Sequence, residues 1–176
     1  MRPAPRAPHN ARMARHAATV SAGRSHPLGA RLHAGGVGFS VYSRHAERVE
    51  LLLYDHADSP RPQRTVVLDP AQHRTGNYWH AFVPGLGVGQ LYAYRMHGPF
   101  DPARAHRFDP HKVLLDPYGR ALAIPSQWQR GAGAGAGPNA AFACKRVVAD
   151  DQAYDWQGAR PLRRPIAQTL IYELHV

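Results

Sequence analysis

Val37-Gly38-Phe39-Ser40-Val41-Tyr42 and, after a turn at Arg44-His45-Ala46, Arg48-Val49-Glu50-Leu51-Leu52-Leu53-Tyr54 are the two stretches whose reading decides the fold. In the first, large apolar residues alternate with small or polar ones, the period of a strand with one buried face; the second is rich in the residue types that fill pleated, buried surface. Working outward, Asp55 to Pro62 carries Asp58, Ser59, Pro60 and Pro62, which supply turn geometry and remove ladder donors, so it reads as a loop. A third strand is expected over Gln63 to Leu68, a turn over Asp69 to Gly76, and a fourth strand at Tyr78-Trp79-His80-Ala81-Phe82-Val83. Pro84-Gly85-Leu86-Gly87 then turns the chain into Gln90-Leu91-Tyr92-Ala93-Tyr94-Arg95-Met96. Short strands at regular spacing, with no amphipathic helix between them, predict an all-β protein built as an antiparallel β-sandwich.

Composition agrees with frequent turns: the 176 residues include 16 Gly and 16 Pro, while 44% hydrophobic residues suffice for a core. Four regions are expected: a disordered basic tail over 1–25, the sandwich over 26–125, an irregular linker over 126–167 and a last apolar strand over 168–176. Gly131 to Gly137 alternates Gly with Ala and offers no bulky side chain, so it reads as a mobile surface loop. Three Asp-Pro steps, at Asp101, Asp109 and Asp116, mark a turn-rich path after residue 97.

The formal charge of +10 suggests nucleic acid only until it is located. Arg2, Arg6, Arg12, Arg15, Arg24 and Arg31 lie in the first 31 residues, which hold no Asp or Glu, and this leaves +4 for the rest. A solvated tail accounts for that asymmetry better than a folded basic patch, so no nucleic-acid partner is expected. No apolar run approaches the roughly 18–20 residues that span a bilayer, and no membrane partner is expected. A single cysteine, Cys144, cannot form an internal disulfide, which fits a cytoplasmic location. Its neighbours Lys145 and Arg146 could lower its pKa, yet a lone thiol reads as inert. The twelve histidines lack the paired spacing of a zinc site, and neither metal nor cofactor is expected.

Acid/base chemistry needs carboxylates at a defined separation, and the Asp and Glu residues here sit mostly in Asp-Pro steps, turns or strand edges, so no catalytic residue is assigned. Gly35-Gly36-Val37-Gly38 precedes a strand, not a helix, which weakens a phosphate-binding role. A sugar site would use aromatic faces to stack on the apolar face of a pyranose. Tyr42, Tyr54, Tyr78, Trp79, Tyr92, Tyr94 and Phe100 are the candidates in these strands and turns. Trp79 shares a strand face with Ala81 and Val83 and reads as core. Tyr92 and Tyr94 share a face that is either core or an exposed platform, and with Phe100 and Tyr54 they form the proposed carbohydrate-binding set.

Several strings in order resemble one family: Pro27-Leu28-Gly29-Ala30, Val37 to Ser43, Ala46-Glu47-Arg48-Val49-Glu50-Leu51, Tyr92-Ala93-Tyr94-Arg95-Met96-His97-Gly98-Pro99, His106-Arg107-Phe108-Asp109-Pro110 and Leu114-Leu115-Asp116-Pro117-Tyr118. They look like the opening domain of bacterial glycogen-debranching enzymes and isoamylases, and Thr169 to Val176 is similar to the first strand of their barrel. The resemblance implies an immunoglobulin-like sandwich, carbohydrate-binding module family 48, placed before a glycoside hydrolase family 13 (β/α)₈ barrel. There an Asp nucleophile, a Glu acid/base and a second Asp cleave α-1,6 linkages, and none of the three has a counterpart here. Two departures stand out, since glycogen-holding members resemble one another in a Trp-bearing loop after the second strand and a Lys in the strand of Tyr92 and Tyr94. Here the loop Asp55 to Pro62 has no aromatic and that strand no Lys. The expected function is that of a non-catalytic fragment of a debranching hydrolase, its partners an α-glucan and the missing barrel. The alternatives are a free-standing α-glucan module and an unrelated immunoglobulin-like interaction domain.

Overall fold

The structure, a computed structural model, describes residues 19–150 and 152–175. Eleven strands and one α-helical turn follow in order among them, besides three 3₁₀ turns: β1 Gly29–His33, β2 Gly36–Tyr42, β3 Arg48–Tyr54, β4 Arg64–Leu68, α1 Pro70–His73, β5 Arg74–Thr75, β6 Tyr78–Pro84, β7 Leu91–His97, β8 Phe100–Asp101, β9 His106–Arg107, β10 Ala121–Ala123 and β11 Lys145–Val147. The five strands expected from residue periodicity are all present. The expected turn after β4 contains α1, whose first turn is capped by Asp69: its Oδ1 accepts from Ala71 N–H at 2.9 Å.

Two antiparallel sheets face each other, one ordered β1-β2-β6-β5 and the other β10-β11-β7-β3-β4, with β8 and β9 forming a separate small hairpin. Pairing Phe39 with Ala81 and Val41 with Trp79 aims one set of side chains inward; Leu51 with Tyr94 and Leu53 with Tyr92 supply the facing set. They meet in one core, where the rings of Phe39 and Tyr92 touch edge to face at 5.1 Å. Trp79 is fully buried, as its strand face predicts, and its indole N–H donates to the Ser43 carbonyl at 3.2 Å.

The run Leu51-Leu52-Leu53-Tyr54 does not alternate because β3 is covered on both sides. Leu51 and Leu53 face the interlayer core, while Leu52 and Tyr54 face a second cluster with Ala93 and Val113, packed by Ala140 and Ala143. The covering residues come from far along the chain, and sheets buried on both faces lose the hydrophobic alternation of half-exposed ones.

Three boundaries differ from the sequence reading. Order begins before residue 26: Ser21 and Phe82 exchange backbone hydrogen bonds of 3.0 and 2.8 Å, and the Ser25 carbonyl accepts from Ser40 Oγ at 2.6 Å. The expected tail therefore shortens at its inner end, while Met1 to Ala18 lies outside the described residues. The sandwich also does not stop at residue 125. Arg146 and Val147 pair with Tyr92 and Leu91, and Val148 is buried in the main core, because β7 needs a neighbour on the edge away from β3. Finally, Thr169 to His175 forms no strand. Its residues are exposed after a 3₁₀ turn at Ile166–Gln168, no ladder partner runs beside them among the described residues, and Val176 lies outside those.

Candidate functional site

Beyond β7 the chain leaves the sheet at His97-Gly98-Pro99 and folds into the β8/β9 hairpin, in which Phe100 pairs with Arg107. Gly98 makes this exit possible: a Cβ there would lie 2.8 Å from the Phe108 ring and 2.9 Å from the His45 carbonyl oxygen. Without that Cβ, Phe108 packs against the main core, while Phe100 on the hairpin stays 70% exposed. A cleft of about 900 Å³ opens here. Met96, Phe100, Phe108 and Leu114 give it an apolar lining, Arg107, Asp109 and Lys112 supply polar groups, and the backbone of Gly133 to Ala136 completes it. Apolar surface with a few convergent polar groups is the usual make-up of a ligand cleft.

Of the four sequence-chosen aromatics, only Phe100 reaches this surface. Tyr92, Tyr94 and Tyr54 are buried, which corrects the reading of them as a sugar platform: a ring with core on both sides has no face left to stack. The Tyr92 hydroxyl donates to Asp116 Oδ2 at 2.9 Å, and the buried Tyr94 hydroxyl has no hydrogen-bond partner among the described residues. The Lys145 ammonium lies 5.1 Å from the Tyr54 ring centroid. Burial pushes the Tyr54 hydroxyl up to about 12, with Arg95 pulling the other way, and raises Tyr92 and Tyr94 as well, so ionisation of all three phenols is disfavoured.

Asp116 is the buried carboxylate that sequence reasoning treated as a turn residue. It does shape a turn, since its Oδ1 accepts from Tyr118 N–H at 2.8 Å, but it also ties that turn to Tyr92, and its backbone carbonyl accepts from Arg146 Nε at 2.8 Å. Burial raises its pKa, opposed by these hydrogen bonds and by Arg146. The other buried acid, Glu50, is held by Arg48 at 2.7 Å and Arg95 at 3.3 Å. Both carboxylates are thus engaged in holding elements together. Among the described residues no group of three or more His, Cys, Asp or Glu side chains is placed to hold a metal ion, and none of the described helices is long and apolar enough to cross a membrane.

The Gly/Ala loop, which reads from the sequence as a mobile surface loop without a bulky side chain to pack, has a partner in the structure. Lys112, almost fully buried, donates from Nζ to the carbonyls of Ala132, Gly135 and Gly137. The only sequence signal was a lysine amid turn residues, which says nothing of a segment twenty positions away.

The family model for carbohydrate-binding module 48, the isoamylase N-terminal domain, matches residues 27–119, just over half of the chain. The chain belongs to that family. The chain is 39% identical over 162 residues to the glycogen debranching enzyme of Yersinia enterocolitica and 42% identical over 161 residues to that of Serratia proteamaculans. About nine-tenths of the chain aligns in each case, but it spans only 24% and 23% of those curated relatives' lengths, corresponding to their amino-terminal part. Among solved structures it resembles the glycogen-degrading pneumococcal virulence factor SpuA in a product complex, with a TM-score of 0.54 and 19% identity, covering 79% of this chain and 13% of that one. It also resembles the GBS pullulanase SAP in complex with maltotetraose, with a TM-score of 0.53 and 22% identity, covering 77% of this chain and 16% of that one. These two likenesses concern the fold.

Proposed function

We propose that this module is the non-catalytic opening part of a glycogen-debranching hydrolase that cleaves α-1,6 linkages in glycogen or branched dextrins. The observation that carries the reading is the 39–42% identity to glycogen debranching enzymes over about nine-tenths of the chain, well beyond the 93 residues that the family model covers. In this reading the sandwich is immunoglobulin-like, the catalytic Asp, Glu and Asp belong to a following (β/α)₈ barrel in the cytoplasm, and residues 168–176 become its first strand. The apolar side chains of Leu170, Ile171 and Leu174, exposed here, support that assignment, because parallel barrel strands are buried on both faces.

A second reading, an α-glucan binding module in its own right, is favoured by the exposure of Phe100 at the cleft. A pyranose stacked on that ring is the contact proposed for the family's carbohydrate ligand. Replacing Tyr92 and Tyr94 would disturb the core and leave the ligand question open, so Phe100 carries the test. The purified chain should release no linear maltodextrins from glycogen, and release of such products would overturn the non-catalytic reading. Retention on glycogen beads that Phe100→Ala abolishes, with an unchanged melting curve, would support glucan contact; retention unaffected by that change would remove Phe100 from the site. The reading frame downstream of the Val176 codon should encode a family 13 barrel, and a frame encoding another domain would count against the debranching assignment.

A further inference from the structure

The stretch Gly131-Ala132-Gly133-Ala134-Gly135-Ala136-Gly137 has no side chain larger than a methyl, so it cannot hold its shape by packing, and its glycines lose more backbone freedom on ordering than other residues do. Yet its backbone lines the cleft beside Phe100. The side chain that grips its middle is that of Lys112. The Lys112 ammonium has three N–H donors, and it makes three contacts with the loop, to the carbonyls of Ala132 at 3.1 Å, Gly135 at 2.5 Å and Gly137 at 2.7 Å. Lys112 is only 7% exposed and forms no ion pair among the described residues, so the loop carbonyls take the place of the water it has lost. Next door, Val113 N–H donates to Asn139 Oδ1 at 2.7 Å and the Val113 carbonyl accepts from Asn139 Nδ2 at 3.1 Å, which fixes the far end of the loop to the same segment.

We infer that Lys112 is a positioning residue whose ammonium latches the Gly/Ala loop in place as a wall of the Phe100 cleft, so that binding of an α-glucan chain there depends on a lysine acting through the loop. The loop is set by one charge with carbonyl partners on three residues, an arrangement that forms or releases as a unit. Its own short-range hydrogen bonds, Ala132 N–H to Gln129 O, Ala134 N–H to Gly131 O and Gly135 N–H to Gly131 O, follow the latch. The assignment of a glucan to the cleft rests on the reading above, whereas the latch itself does not.

Amide hydrogen exchange and maltoheptaose titration of the full chain separate the two. In Lys112→Met, which keeps the stem and loses the donors, exchange at Ala132, Ala134 and Gly135 should speed by at least about tenfold, with β3 and β7 unchanged. Maltoheptaose affinity should fall by about fivefold or more, and Lys112→Arg, which keeps charge and donors, should restore part of both. Gly137→Ala, strained at φ +79°, should release the loop with Lys112 intact. Unchanged loop exchange in both Lys112→Met and Gly137→Ala would overturn the latch, as would loss of protection spread evenly through β3 and β7 in Lys112→Met. Failure of the unaltered chain to bind maltoheptaose, with the exchange result as expected, would instead overturn the glucan reading of the cleft.

Discussion

Asp116 and Tyr92 show how one buried pair can serve the fold while looking like chemistry. Removing the acceptor strands the buried Tyr92 hydroxyl, and an unsatisfied buried donor costs about 1–3 kcal/mol, so Asp116→Ala should destabilise the chain by about 1–3 kcal/mol in urea unfolding. Trp79→Ala, which empties a fully buried indole site, should cost about 3–5 kcal/mol by the same measurement. The raised Asp116 pKa also has a pH signature. Its folded value lies above the ordinary 3.8, so the folded chain binds that proton more tightly than the unfolded chain does. The stabilisation is fully present below 3.8 and is lost as pH rises through the folded value. Stability of the parent chain relative to Asp116→Asn should therefore fall across that window, and a difference that stays flat with pH would contradict the assignment.

At the scale of elements, β11 matters more than its three residues suggest. It fills the edge of β7, brings Val148 into the core, and carries Lys145, whose ammonium donates to the Ala57 carbonyl at 2.6 Å and the Ala140 carbonyl at 2.8 Å. That lysine joins three separate segments, the loop after β3, the end of the Gly/Ala linker and the sheet. Burial lowers its pKa, with Asp58 pulling it back up. A chain ended at residue 125 loses all of this. Burial of one aliphatic side chain contributes about 1.5–3 kcal/mol and each net hydrogen bond about 0.5–1.5 kcal/mol, so it should be less stable than a chain ended at residue 150 by at least about 3 kcal/mol. Matching urea midpoints for the two would show that β11 is dispensable.

For the molecule as a whole, the residues after the sandwich set its behaviour in solution. Leu162, Ile166, Leu170, Ile171, Tyr172 and Leu174 are all exposed, Leu170 at 92%, an apolar stretch that invites association. Deletion from Leu162 onward should raise the soluble yield and remove concentration-dependent light scattering, and equal behaviour of the two chains would refute this. The sequence by itself determined five of the eleven strands: Val37 to Tyr42 and Tyr78 to Val83, for instance, alternate because one sheet face meets the core, and that signal is local. It also carried the family, through motifs whose order along the chain survives without any coordinates. Only the tertiary structure decided which aromatics are available to a ligand. Tyr92 and Tyr94 turn toward the opposite sheet and Tyr54 lies under residues 140–143, whereas Phe100 stands free on its hairpin. The same holds for Lys112, whose three partners lie 20 to 25 positions onward. Period along the chain tells which residues share a face, but what covers that face depends on segments brought together only by folding.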